Sequence, residues 1–181
     1  NIIVRRSRAE YNVAGIEIEN SRNADVYENE SRNNAGGILV FDLPGLQVKD
    51  GGNVRVLNNK SVHNNTKNFA PVGNIVAMVP KGTGVLVMAN DNVEIFGNTI
   101  QDNDTAQLAI VSYFVTQLAF KDKDAVYDPY PIKTFIHDNV FIGGGGSPDL
   151  TKEIGIGMLV LFGSDAVPDI LYDGIEDPAR S

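Results

Sequence analysis

Gly84-Val85-Leu86-Val87-Met88-Ala89-Asn90-Asp91-Asn92-Val93-Glu94-Ile95-Phe96-Gly97-Asn98 decides the fold. Two runs rich in β-branched residues alternate with a period of two. Gly, Asn and Asp bound them, the pattern of short strands joined by bends. The arrangement recurs: Gly15 leads to Asn29 and Gly84 to Asn98 over the same 14 positions. One column aligns Val26-Tyr27-Glu28-Asn29, Val56-Leu57-Asn58-Asn59, Ile95-Phe96-Gly97-Asn98 and Ile136-His137-Asp138-Asn139, and five positions beyond these Asn stand Asn34, Asn64, Asn103 and Gly144. A second column aligns Gly15-Ile16-Glu17-Ile18, Gly37-Ile38-Leu39-Val40, Gly84-Val85-Leu86-Val87 and Gly157-Met158-Leu159-Val160, with Ala109-Ile110-Val111-Ser112 placing Ala in the glycine slot.

The shortest repeat, Gly15 to Gly37, is 22 residues. That suits three short strands, whereas a helical solenoid unit needs more than about 30 residues and a 3.6-residue apolar period. The pattern predicts an all-β, right-handed parallel β-helix of four to five rungs with long loop insertions, one domain over residues 1–181. Asn29, Asn59, Asn98 and Asn139 then form a structural ladder. An amide both donates and accepts, so stacked Asn side chains bond to the rungs above and below, and Asn also tolerates the left-handed backbone of a sharp bend. Leu108, Val111, Val115 and Leu118 have helical spacing, but the β-branched and aromatic content of 111–115 favours strand to about Phe114 and loop beyond. The solenoid's ends expose strand edges that need capping. The segment Pro168 to Ser181 is the expected cover for one end, and the start at Asn1 with strand-like Ile2-Ile3-Val4 suggests a preceding portion.

Composition narrows the functions. Fifteen Lys and Arg against 23 Asp and Glu give a net charge of −8 without a basic run, which argues against nucleic-acid binding. The absence of cysteine removes disulfides, thiolate metal sites and cysteine nucleophiles. No stretch reaches the roughly 18 apolar residues of a transmembrane helix.

Three segments, Glu10 to Ser21, Gly36-Gly37-Ile38-Leu39-Val40-Phe41-Asp42-Leu43-Pro44-Gly45 and Pro168-Asp169-Ile170-Leu171-Tyr172-Asp173-Gly174, resemble the exported bacterial parallel β-helix repeat proteins. The resemblance implies an extracytoplasmic location (periplasmic, lipoprotein-anchored or secreted) and a neighbouring exported protein as partner. The architecture is also similar to the pectate lyases and alginate epimerases, which implies polysaccharide as an alternative partner. Fold alone does not settle function.

With Ile16, Ile38, Val85, Ile110 and Met158 inside, the second column faces outward with Glu17, Leu39, Leu86, Val111 and Leu159, then Glu19, Phe41, Met88, Tyr113 and Leu161. Beyond the first rung this face is apolar, and a sheet apolar on both faces is covered on both. Phe69 to Val79 is the expected cover, in place of an open sugar groove. The other column faces outward with Asp25, Arg55, Glu94 and Phe135, then Tyr27, Leu57, Phe96 and His137, and is the better place for a polar site. His137 is a candidate general base, although Asp138, its neighbour on the strand, is expected to point away and serve the bend. Asp128-Pro129-Tyr130 resembles the Asp-Pro-His element of alginate epimerases, with Tyr130 in place of His. Tyr113, Tyr127 and Arg55 are candidate binding residues. Asp122, Asp124 and Asp128 are spaced to offer oxygens to calcium, the one cofactor suggested, without the Gly and distant Glu of a full calcium loop. Two functions follow: a non-catalytic scaffold that docks a partner, or a carbohydrate-active lyase, epimerase or binding module.

Overall fold

The computed structural model describes residues 1–119, 127–163 and 167–180. Its chain coils through three parallel five-stranded sheets, advancing one rung for every three strands. The first sheet holds β1 (Ile2–Arg5), β4 (Arg22–Tyr27), β7 (Gly52–Leu57), β10 (Asp91–Phe96) and β13 (Phe135–His137). The second holds β2 (Arg8–Glu10), β5 (Glu30–Arg32), β8 (Lys60–Val62), β11 (Thr99–Gln101) and β14 (Val140–Ile142). The third holds β3 (Ala14–Glu19), β6 (Gly36–Phe41), β9 (Thr83–Met88), β12 (Ala106–Val111) and β15 (Ile170–Tyr172). Each strand pairs in parallel with the third strand after it, as in Val26 against Val56 and Val56 against Ile95.

Alternation drives the coil. Along β7 the residues Val54 and Val56 are fully buried while Asn53 and Arg55 are exposed. Inward Val and Ile from all three sheets form one continuous core running through the rungs. Each such side chain contributes about 1.5–3 kcal/mol when taken out of water.

The Asn ladder is present. Asn29 Nδ2 donates to Asn59 Oδ1 at 3.0 Å, Asn59 Nδ2 to Asn98 Oδ1 at 3.0 Å, and Asn98 Nδ2 to Asn139 Oδ1 at 2.9 Å. Asn34, Asn64 and Asn103 form a second ladder at the next corner, with contacts of 3.0 and 3.1 Å. The left-handed residue is the one before each ladder Asn, namely Glu28, Asn58, Gly97 and Asp138. The ladder Asn residues are there for their amides, and the expectation that they carry the bend is corrected.

Three other expectations change. In the third sheet Leu108, not Ile110, pairs with Val85, so Gln107 rather than Ala109 occupies the glycine slot. This two-residue shift preserves which side chains face inward. Gly157-Met158-Leu159-Val160 lies in a helix, α1 (Glu153–Phe162), and the fifth strand of this sheet is β15. Within the tail, Ile170–Tyr172 therefore completes the last rung. After β12 the chain makes a 3-10 turn at Tyr113–Thr116, so the strand stops short of Phe114.

The outer face of the third sheet is covered. Leu39, Phe41 and Met88 are 0%, 3% and 6% exposed. Val76 and Val79, in and just after a 3-10 turn at Ile75–Met78, pack on this face with Ile154 and Met158 of α1. The first half of the expected cover stays outside, with Phe69 and Val72 exposed. Leu161 is exposed on α1 and belongs to no sheet. No described helix is long and apolar enough to cross a membrane.

Candidate functional site

The outer face of the first sheet remains open. Asp25, Arg55, Glu94 and Phe135 stand in one column, and Tyr27, Leu57, Phe96 and His137 in the next. Parallel pairing in register holds them one rung apart, about 4.8 Å. Beside them an exposed third file continues the theme: Asn92 Nδ2 donates to Asn53 Oδ1 at 2.6 Å and Asn53 Nδ2 to Asn23 Oδ1 at 3.1 Å. A shallow polar hollow lies here, lined by Asn53, Arg55, Asn92, Glu94, Lys133 and Phe135 among others.

His137 sits at the foot of this face. Its Nδ1 lies 2.8 Å from Asp138 Oδ2 and its Nε2 3.3 Å from Glu94 Oε1. The expectation that Asp138 points away is corrected. The strand ends at His137 and Asp138 adopts φ of 53°, which turns its carboxylate back to the ring. The hydrogen bond to Asp138, and then Glu94, raise the imidazole pKa above its ordinary value. Phe96 stacks on the ring at 4.9 Å and Phe135 at 4.5 Å. Two rungs up, the Arg55 guanidinium grips Asp25 with two contacts of 2.8 and 2.9 Å and holds the Asp25 carboxyl below its usual range.

The other candidates gather elsewhere. With its nitrogens on Asp138 and Glu94 and its ring against Phe96 and Phe135, His137 joins neither Asp128 nor Tyr130. Asp128 accepts from Arg180 Nη2 at 2.6 Å and from the Tyr130 backbone N–H at 3.1 Å, so both its oxygens are engaged. The Tyr130 ring leans on Phe114 at 5.5 Å. Tyr113 and Tyr127 are buried, meeting edge to face at 5.6 Å, and the Tyr127 hydroxyl donates to the Asp42 carbonyl at 3.1 Å. Burial pushes the Tyr127 phenol pKa up, and neither ring faces solvent. The two-residue register shift puts Val111 in the outward slot expected for Tyr113, which falls in the 3-10 turn beyond the strand. Asp122 and Asp124 lie outside the described residues. Among those described, no three acidic or histidine side chains converge as a metal site.

Two groups escaped the reading of the sequence. Asp91 is half-buried beside Asp128, and burial first, then that neighbouring charge, push its carboxyl up to about 6. Its Oδ1 accepts from the Ile132 backbone N–H at 3.2 Å, a contact across 41 residues that no local pattern announces. Asp42 is fully buried, with its pKa raised by burial and opposed by the Gly51 N–H, which donates to Oδ2 at 2.9 Å. Its position directly after the apolar strand β6 was the available signal.

Compared with protein families, residues 1–119 match the family described as right handed beta helix region. Neither curated proteins nor solved structures yield a match.

Proposed function

The chain belongs to the right-handed β-helix family, and from that premise we propose a scaffold that binds an extended polysaccharide along the outer face of its first sheet without cleaving it. The observation that supports this is the open face on which Tyr27, Phe96 and His137 share one column and Phe135 continues the adjacent column of hydrogen-bonding Asp25, Arg55 and Glu94. Flat apolar rings bordered by fixed polar groups suit a sugar, whose faces are apolar and whose edges are hydroxylated. The covered third sheet leaves no such face there. Both ring nitrogens of His137 are engaged by carboxylates, which leaves neither directed at a substrate hydroxyl in this reading. Both carboxylates favour the protonated ring. The reading carries with it a location outside the cytoplasm, where such polymers are met.

Affinity electrophoresis in gels cast with neutral and uronate polysaccharides tests the proposal. At least one polymer should retard the protein, and Phe135→Ala, at an exposed position, should weaken binding about tenfold, some 1.4 kcal/mol. Retardation by none, together with stable co-purification of a second exported protein, overturns the polysaccharide reading in favour of a protein-docking scaffold. Asp91, held near pKa 6 beside Asp128, favours one second reading, an acid–base lyase or epimerase. That reading requires unsaturated or C5-inverted uronate products that vanish in Asp91→Asn.

A further inference from the structure

After Glu153, α1 is apolar on every side. Ile154 and Met158 pack on the third sheet, which accounts for one face. The other face is bare. Ile156 and Val160 stand one turn apart, as do Gly157 and Leu161, so these four form two adjacent rows along it. Val160 and Leu161 are 78% and 76% exposed, and Ile156 and, at the helix end, Phe162 are exposed as well. A helix that is apolar all round is ordinarily buried all round. The uncovered side chains present on the order of 500 Å² of apolar surface, near the upper end of what a monomer leaves in one patch.

The two glycines of the helix have different reasons. A Cβ at Gly155 would strike the Asp149 carbonyl, so packing inside the chain requires that glycine. A Cβ at Gly157 would meet nothing within 4 Å. Glycine within a helix weakens it relative to alanine, and nothing in the chain compensates at Gly157. Set between Ile156, Val160 and Leu161, it leaves a notch that lets a second helix approach closely.

Charge and area identify the occupant. From Ile154 to Gly163 the sequence has no charged residue. Helices that lie in a membrane surface oppose their apolar side with a basic, polar one, and α1 has no such side. A charged partner would find no counter-charge on this face. A second copy of the chain fits. Two chains of −8 repel one another generally, and this uncharged face is where they can meet with the least repulsion. Two such patches together bury about 1,000 Å², the lower bound for a specific interface, which suits a micromolar dimer.

We infer that two copies of this chain associate through the outer face of α1, about a two-fold axis that passes beside Gly157. Such an interface is self-complementary and closes on itself, so assembly stops at the dimer. It uses neither the first sheet nor any residue assigned to polysaccharide, and it stands or falls independently of that reading.

Sedimentation velocity of the 181-residue chain from about 1 μM to about 1 mM tests the inference. Monomer should give way to dimer with a midpoint on the order of 10 μM, and no larger species should form. Val160→Glu, at an exposed position, should raise that midpoint at least tenfold and leave the far-ultraviolet circular dichroism unchanged. The chain has no cysteine, so Gly157→Cys supplies a single thiol. Mild oxidation should link most of that variant into a disulfide dimer, whereas Tyr11→Cys, exposed just after β2, should stay largely monomeric. Should Val160→Glu fail to fold, the two cysteine variants decide the matter. Monomer at every concentration overturns the inference, and flotation of that monomer with phosphatidylcholine vesicles would assign the face to a membrane instead. Equal cross-linking through both cysteines also overturns it.

Discussion

The Asn59 side chain makes four hydrogen bonds. Its Oδ1 accepts from the Asn29 backbone and from Asn29 Nδ2, each at 3.0 Å, and its Nδ2 donates to Asn98 Oδ1 at 3.0 Å and the Val26 carbonyl at 2.8 Å. With 1% exposure no water can replace them. Asn59→Ala should therefore cost about 3 kcal/mol, since several buried partners lose their mates at once. Asn139→Ala, half-buried on the last rung, should cost about 1 kcal/mol. Urea unfolding measures both, and equal losses would contradict the assignment. These columns were legible in the sequence because an amide stacked on every rung leaves a periodic trace. The second ladder's end was not. Gly144 stands where the ladder Asn would be, and Gln107 stands where rungs one to three have Gly. On those rungs glycine makes room for the Asn below, as at Gly84, whose added Cβ would lie 2.6 Å from Asn103 Nδ2. On rung four the roles are exchanged. Gln107 reaches down, accepts from Asn103 Nδ2 at 2.8 Å, and donates to the Ile142 and Gly143 carbonyls at 2.8 and 2.6 Å. A Cβ on Gly144 would meet the Gln107 side chain at 2.7 Å. Gln107→Ala should thus take one acceptor from Asn103 and the side-chain donor from the Ile142 and Gly143 carbonyls, and lower stability by about 2 kcal/mol in the same urea assay.

At the scale of elements, the third sheet shows where pattern reading fails and why. The sequence from Ile154 to Phe162 is apolar almost throughout, and an unbroken apolar run does not distinguish period two from 3.6. Tertiary packing decides it: Ile154 and Met158, one helical turn apart, both pack onto the sheet from α1. The strand that replaces it, β15, is three residues long, with Ile170 and Tyr172 exposed, so composition alone hardly marks it. Side-chain anchoring at its end compensates for the small burial. Asp173 Oδ2 accepts from the Ser112 backbone N–H at 2.6 Å and from Ser112 Oγ at 2.8 Å. Asp173→Ala should release this edge locally. Hydrogen exchange at residues 170–172 should quicken at least tenfold, corresponding to about 1.4 kcal/mol, while β7 and β10 keep their protection. Equal acceleration in β7 would show that β15 is not a separable unit.

For the molecule as a whole, stacking makes each rung depend on its neighbours, so long-range effects enter mainly through charge. The chain carries −8 and crowds carboxyls at the corner before β10, where Asp128 and Asp50 both raise the Asp91 pKa beyond what burial alone does. Arg180, paired to Asp128 at 2.6 Å, opposes this from the C-terminal segment. The linkage has a definite sign. An acid held at about 6 in the fold, against 3.8 unfolded, binds its proton more tightly when folded. Its contribution to stability is complete below 3.8 and disappears as pH rises through about 6. His137, also raised, acts in the same direction at higher pH, whereas Asp25, lowered by Arg55, adds stability that is lost only on acidification. The urea midpoint should accordingly fall between pH 4.5 and 7.5. Asparagine at position 91 retains an oxygen for the Ile132 N–H but cannot ionise. Asp91→Asn should therefore be more stable than the parent at pH 7.5, and its pH dependence should flatten around 6. Parallel curves for the two proteins would mean that Asp91 ionises as freely in the fold as out of it, and the crowded corner would then cost the molecule nothing.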